Sequence, residues 1–291
     1  MGNLNSEQQK AFFDEQGYLL VRGVFDDETF APLRGVVASA VDRFAKQRYH
    51  EGRISTLYED VPFNQRLMRV FEESEKGPVM GWLWNREVFS REVYELSAHP
   101  KNLDIVESLI GPEITVNGDY WLRFKPPTGK QSVFPWHQDS IYYNGNIEPG
   151  QKVRPSEESQ ILTVWIPLVD VDEHNGCLQV VSGSHHYGLR PPRRDEHGRL
   201  VPVEDVENFG RIETVRMKVG DLLVFSNLTF HRSLENNSDG IRWSIDLRYS
   251  PTGSPLEWFY KKWPGFIARS LERPESVESW EAWQAKRLRL F

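Results

Sequence analysis

The chain has little of what marks several large functional classes. Its 291 residues include one cysteine, Cys177. No internal disulfide can form, and no cysteine cluster exists for zinc or an iron–sulfur centre. Such usage suits a reducing compartment, and Cys177 in the apolar stretch Cys177–Val181 reads as a small buried residue. No basic stripe is present to neutralise phosphates, and the formal net charge is -7, so a nucleic-acid partner is not expected. The longest apolar run, Ile161 to Val169, is far shorter than the ~20 residues that span a bilayer. The first residues, Met1 to Glu7, lack a basic segment followed by an apolar one, so no signal peptide is expected. No internal repeat is visible. The expectation is a soluble, cytoplasmic protein without a membrane partner; its oligomeric state is left open.

What is present is a core supply: 39% hydrophobic residues, with ten Trp, ten Tyr and sixteen Phe. The first hundred or so residues read mainly as helices. One begins at Ser6 and stops at Gly17, and a short strand, Tyr18 to Val24, follows. Asp26 or Asp27 caps a second helix, in which Phe30, Leu33, Val37, Val41 and Phe44 recur at helical spacing. Leu103 to Ile110 reads as a third. After Pro112 the segments become short and alternating, the sign of strands. These are Glu113–Val116, Trp121–Lys125, Ile161–Leu168, Leu178–Val181, Thr214–Lys218, Leu222–Ser226 and Arg242–Tyr249. In the last, Arg242, Ser244, Asp246 and Arg248 share one face and Trp243, Ile245, Leu247 and Tyr249 the other. A mainly β sandwich or barrel with flanking α-helices is expected, as one domain over 1–291: a helical N-terminal region of residues 1–112, a core of about 113–250 and a C-terminal extension 251–291. The polar stretch Arg190 to Phe209 reads as a mobile loop able to close over a site.

His137-Gln138-Asp139 carries the chemistry. Residues two apart on an extended segment point the same way, so His137 and Asp139 can serve one ion. Two His and one carboxylate on one face of an octahedron leave three open positions, the arrangement of non-haem iron(II) oxygenases. His-x-Asp alone is weak, because so short a motif arises by chance. A second histidine must come from His50, His99, His174, His185, His186, His197 or His231. His231 is chosen: it follows the strand Leu222–Ser226, and the turn residues Asn236–Gly240 return the chain to Arg242. His231 and Arg242 are expected to face each other across a hairpin. Arg242 offers a planar fork for the far carboxylate of a 2-oxo dicarboxylic acid, with Ser233 or Ser244 adding a hydroxyl.

These segments resemble the phytanoyl-CoA dioxygenase family of iron(II)/2-oxoglutarate oxygenases. The likeness runs from Leu4–Gln8 and Gly17–Gly23 through Pro135–Asp139, Thr163–Leu168, Asn175–Leu178 and Gly183–His185 to Phe230–Ser233 and Arg242. It implies a double-stranded β-helix, a jelly-roll or cupin-like barrel. It implies Fe(II) held by His137, Asp139 and His231, and 2-oxoglutarate held by Arg242 and Ser233, with Trp165 lining that pocket and Lys125 in reach. O₂ is the other co-substrate, and a small-molecule metabolite the substrate. Hydroxylation is the expected outcome, with succinate and CO₂ as co-products; desaturation, cyclisation or epimerisation would use the same residues. Ser182 departs from the usual Pro. Asp139 is retained where related halogenases carry a small residue, which argues against halogenation. A non-catalytic jelly-roll binding protein should lack a ligand or the Arg, and a zinc hydrolase would have no use for Arg242 with Ser233. Candidate substrate contacts are Tyr58, Trp82, Trp84, Asn117, Tyr120, Tyr142, Asn144 and Trp258, a mixture suited to a medium-sized amphiphilic molecule.

Overall fold

The computed structural model describes residues 5–74, 88–143, 160–254 and 263–289. Helix Ser6–Gln16 begins where expected and is capped by Asn5. Its side chain accepts from Gln8 N at 3.0 Å while the Gln8 amide oxygen accepts from Asn5 N. Gly17 ends the helix in the left-handed conformation, φ 75°, which only glycine adopts without strain. The second helix starts as a 3-10 turn, Asp27–Phe30, whose Asp26 makes no side-chain cap bond, and continues as Ala31–His50. Its expected stripe is buried at Phe30, Leu33, Val37 and Val41. Helices Phe63–Glu73, Arg91–Ser97, Pro100–Ile110 and Trp280–Leu288 complete the longer ones.

The strands are β1 (Tyr18–Val21), β2 (Ile114–Val116), β3 (Trp121–Lys125), β4 (Phe134–His137), β5 (Leu162–Pro167), β6 (Leu178–Val181), β7 (Pro192–Arg194), β8 (Leu200–Pro202), β9 (Ile212–Val215), β10 (Leu222–Ser226), β11 (His231–Ser233), β12 (Arg242–Pro251) and β13 (Phe266–Arg269). A seven-stranded antiparallel sheet runs β1-β10-β5-β12-β2-β13, with β3 also paired to β12; a four-stranded sheet runs β4-β11-β6-β9. The two facing antiparallel sheets form a double-stranded β-helix, with no closed barrel among the described residues. β1 and β13 extend the larger sheet beyond the expected core limits of 113 and 250.

Two expectations need correction. β9 lies about two residues earlier than Thr214–Lys218, because Met217 leaves the ladder to bridge Val171 and the Asp221 carboxylate takes Lys218 N at 2.8 Å. The stretch Arg190 to Phe209 is not an open loop. It folds as the β7-β8 hairpin and a 3-10 turn, anchored by buried Leu200, Val206 and Phe209.

β12 decides the interior. Both of its faces are buried. Trp243, Ile245, Leu247 and Tyr249 join the main apolar core with Leu33, Val37, Leu67 and Val106 of the helices. Arg242, Ser244, Asp246 and Arg248 face the other way and are equally buried. Trp243 is 0% exposed and packs near Phe63 and Phe124, at 5.7 and 5.9 Å between ring centroids. Trp243→Ala is expected to cost about 3–5 kcal/mol, measured by denaturant unfolding.

Candidate active site

His137 closes β4 and His231 opens β11, and the two are direct partners across the antiparallel pair. Their rings lie 4.0 Å apart between centroids. The Asp139 Oδ1 atom lies 3.6 Å from each Nε2. All three side chains are buried. Among the described residues they are the one set of His, Cys, Asp or Glu side chains that converges as a metal site, with donor atoms within 4.8 Å of one another.

The neighbours fix which atoms face inward. His137 Nδ1 bonds Pro135 O at 2.8 Å, and His231 Nδ1 bonds Thr229 O at 3.0 Å. Carbonyls only accept, so each Nδ1 carries the proton and each Nε2 keeps a free lone pair. Asp139 Oδ2 accepts from the Thr163 hydroxyl at 2.7 Å and faces Arg248 Nη2 at 3.2 Å. Burial opposes ionisation of Asp139, but the Arg248 charge holds its carboxyl well below the usual carboxylate range. Burial, reinforced by His137, depresses His231 to about 3, so it is neutral and able to coordinate. Gln138 points away: its amide donates to Gly188 O and Leu228 O and accepts from Arg190 N, pinning the segment. A set of two imidazoles and one carboxylate fits iron(II).

A cationic end lies on the larger sheet. Arg242 Nη1 donates to Ser244 Oγ at 2.6 Å, and its guanidinium sits 5.2 Å from the Trp165 ring centroid. Its Nε is buried without a hydrogen-bond partner among the described residues. Lys125 stands directly across from Arg242 in the β12-β3 register. Burial, then the Arg242 charge, depresses Lys125 to about 6. Its stem crosses Gly176, where a Cβ would lie 2.7 Å from Lys125 Cδ. Lys125 Nζ donates to Ser132 O, and Asp246 is the acidic group whose charge acts on Arg242. Ser233 is buried and accepts from Phe134 N at 3.2 Å. The expected hairpin is absent: β11 pairs with β4 and β6, while β12 lies in the other sheet, so His231 and Arg242 belong to facing sheets. The Asn236–Gly240 turn carries the chain between them, with Asn236 donating to Lys125 O and Gly240 O.

Of the substrate candidates, Tyr142 stands beside the metal site. Its ring is 5.8 Å from that of His137, and burial with the Asp139 charge pushes its hydroxyl up to about 12. Tyr120 instead packs against Trp283 and Arg287 in the core. Asn117 ties the β2-β3 loop to β12, donating its N to Arg248 O and accepting from Ser250 Oγ. Tyr58 bonds Glu73 at 2.5 Å in the helical layer. Trp82, Trp84, Asn144 and Trp258 lie outside the described residues. Cys177 is buried, its thiol pushed up to about 12 by burial. The holders of Asp139, Thr163 and Arg248, were not assigned from the sequence to the metal site; the alternation of β12, which puts Arg248 on the face of Arg242, was the available signal.

A family model described as phytanoyl-CoA dioxygenase matches residues 13–244. The chain belongs to the phytanoyl-CoA dioxygenase family. As a member it is a non-haem iron, 2-oxoglutarate-dependent dioxygenase. The 1-deoxypentalenic acid 11-beta-hydroxylase of Streptomyces exfoliatus is 26% identical over 264 residues, which cover 84% of this chain and 80% of that relative. Phytanoyl-CoA dioxygenase 1 of Oryza sativa subsp. japonica is 28% identical over 274 residues, 90% of this chain and 94% of that relative. The structure of EctD from S. alaskensis with 2-oxoglutarate and 5-hydroxyectoine shares the fold, with a TM-score of 0.57 at 21% identity over 85% of this chain and 77% of that one. Among the described residues no helix is long and apolar enough to cross a membrane.

Proposed function

We propose that this dioxygenase hydroxylates an unactivated C–H bond of a small-molecule metabolite. His137, Asp139 and His231 hold the iron, each through the one donor atom its neighbours leave free. With 2-oxoglutarate and O₂ the bound iron supplies the oxidising power, and 2-oxoglutarate leaves as succinate and CO₂. Arg242 takes the far carboxylate of 2-oxoglutarate through its free Nε edge, Ser244 orients the fork, and Trp165 backs it. Ser233 and Lys125 complete that end. Tyr142 borders the substrate beside His137. The observation that carries this reading is the pairing of a three-donor buried metal site with a buried Arg242 whose Nε has no hydrogen-bond partner among the described residues. The retained Asp139 favours hydroxyl transfer over halogenation.

The test supplies iron-loaded protein with 2-oxoglutarate and ¹⁸O₂ against a metabolite library, with His137→Ala as control. Iron-dependent succinate above the uncoupled background, with one ¹⁸O in the product, is expected. A product short of two hydrogens and carrying no ¹⁸O would replace hydroxylation by desaturation or cyclisation. An isomer of unchanged mass would mean epimerisation, and no iron-dependent succinate would overturn the whole reading.

The Lys125 ammonium, depressed to about 6 by burial and the Arg242 charge, must rise when a carboxylate arrives beside it. Affinity for 2-oxoglutarate is therefore full below about pH 6 and falls by up to about tenfold per unit above it, and binding near pH 7.5 takes up about one proton. Anaerobic calorimetry in buffers of different ionisation enthalpy reads this uptake, and Lys125→Met should remove it.

A further inference from the structure

Asp139 offers iron one oxygen because two other groups already hold the second. Thr163 donates to Oδ2 at 2.7 Å, and Arg248 Nη2 lies 3.2 Å from the same atom. The two holders are register partners: Arg248 on β12 stands directly across from Thr163 on β5. Asp139 follows β4, which belongs to the facing sheet. One cross-strand pair therefore reaches over the sandwich interior to a single carboxylate oxygen. Arg248 is 3% exposed and Thr163 1%, so neither bond competes with bulk water. Arg248 is itself fixed from behind. Its Nη2 lies 3.5 Å from Asp246 Oδ2, which also accepts from Arg123 Nε at 2.9 Å.

We propose that Arg248 and Thr163 are positioning residues that keep Asp139 bound to iron through one oxygen only. The inference rests on His137, Asp139 and His231 being the iron ligands. Three protein donors leave three of the six octahedral positions open. The keto acid chelates through two, and O₂ needs the third. A carboxylate that also closed its Oδ2 onto the metal would remove that third position. To do so it must break a charge-assisted bond and a hydroxyl bond, both buried, where unmade bonds are costly. Coordination by Oδ1 alone is thus enforced by the sheet register. The pair acts through Asp139 and does not itself touch substrate.

Cobalt(II) is the probe, since its visible spectrum reports coordination number without turnover. Thr163→Val keeps the shape and every charge but removes the hydroxyl; Thr163→Ser keeps the donor; Arg248→Lys keeps the charge but not the fork. Thr163→Val and Arg248→Lys are expected to shift the cobalt spectrum toward higher coordination and to lower iron-dependent succinate formation by about 10–100-fold. Thr163→Ser should restore both. A role in packing alone would lower the melting temperature and leave the spectrum of the folded protein unchanged. Should Arg248→Lys fail to fold, Thr163→Val decides alone. Unaltered cobalt spectra in folded Thr163→Val overturn the proposal while leaving the ligand set intact. No cobalt binding by the unsubstituted protein overturns the ligand set and the proposal together.

Discussion

An ionised group taken out of water must be compensated by partners the fold supplies, and the interior of this protein is arranged around that demand. Asp139 is the centre of it. Its carboxylate is buried yet ionised, because Arg248 lies 3.2 Å from Oδ2 and the Thr163 hydroxyl donates to the same oxygen. Arg248 is shared with Asp246, and Asp246 with Arg123. Asp119 sits at the margin of this network. Burial raises it to about 6 against the pull of Arg248 and Arg123, and the Trp121 indole holds one of its oxygens. The charges alternate along this chain, and the β12 and β3 registers set the directions of Arg248, Asp246 and Arg123 within it.

The two-sheet architecture divides the labour. The smaller sheet delivers the histidines, His137 and His231, as cross-strand partners. The larger sheet delivers Arg242, Ser244, Trp165, Lys125, Thr163 and Arg248 from the inner faces of β12, β5 and β3. Its outer face is apolar and packs against the helices. A strand buried on both sides, one apolar and one polar, ties the helical layer to the chemistry. At the far end Lys125 and Arg242 stand together across the β12-β3 register. Burial and the neighbouring Arg242 hold Lys125 down at about 6, so its charge depends on what arrives beside it.

Much of this was legible in the chain. His137 and Asp139 were expected to converge by the period of two in a strand; they do converge, but Asp139 lies in the turn after β4 ends at His137, and Arg242 was readable as the first of four alternating polar residues. What local sequence does not encode is which strand lies beside which. The turn Asn236–Gly240 looked like a hairpin because its composition is that of a tight turn, whereas it carries the chain from one sheet to the other. The roles of Thr163 and Arg248 depend on a register between segments far apart in the chain, and no window of sequence contains it. Tyr120, Asn117 and Tyr58 were chosen by residue type. Placement separates them: Tyr120 and Tyr58 serve packing and Asn117 a backbone tie, and only Tyr142 of the described candidates stands beside a metal-site histidine. Arg190–Phe209 was judged by its polarity, whereas buried Leu200, Val206 and Phe209, the β7-β8 ladder and the Arg190–Glu204 pair give it structure.

The most direct measurement is an anaerobic titration of Fe(II) into the protein with and without 2-oxoglutarate, followed through the visible charge-transfer absorption that arises when a 2-oxo acid chelates iron(II). The account predicts a band that requires both components, saturates at one iron per chain and disappears in His231→Ala. Iron binding that develops no such band, or a band that survives the loss of His231, would contradict it.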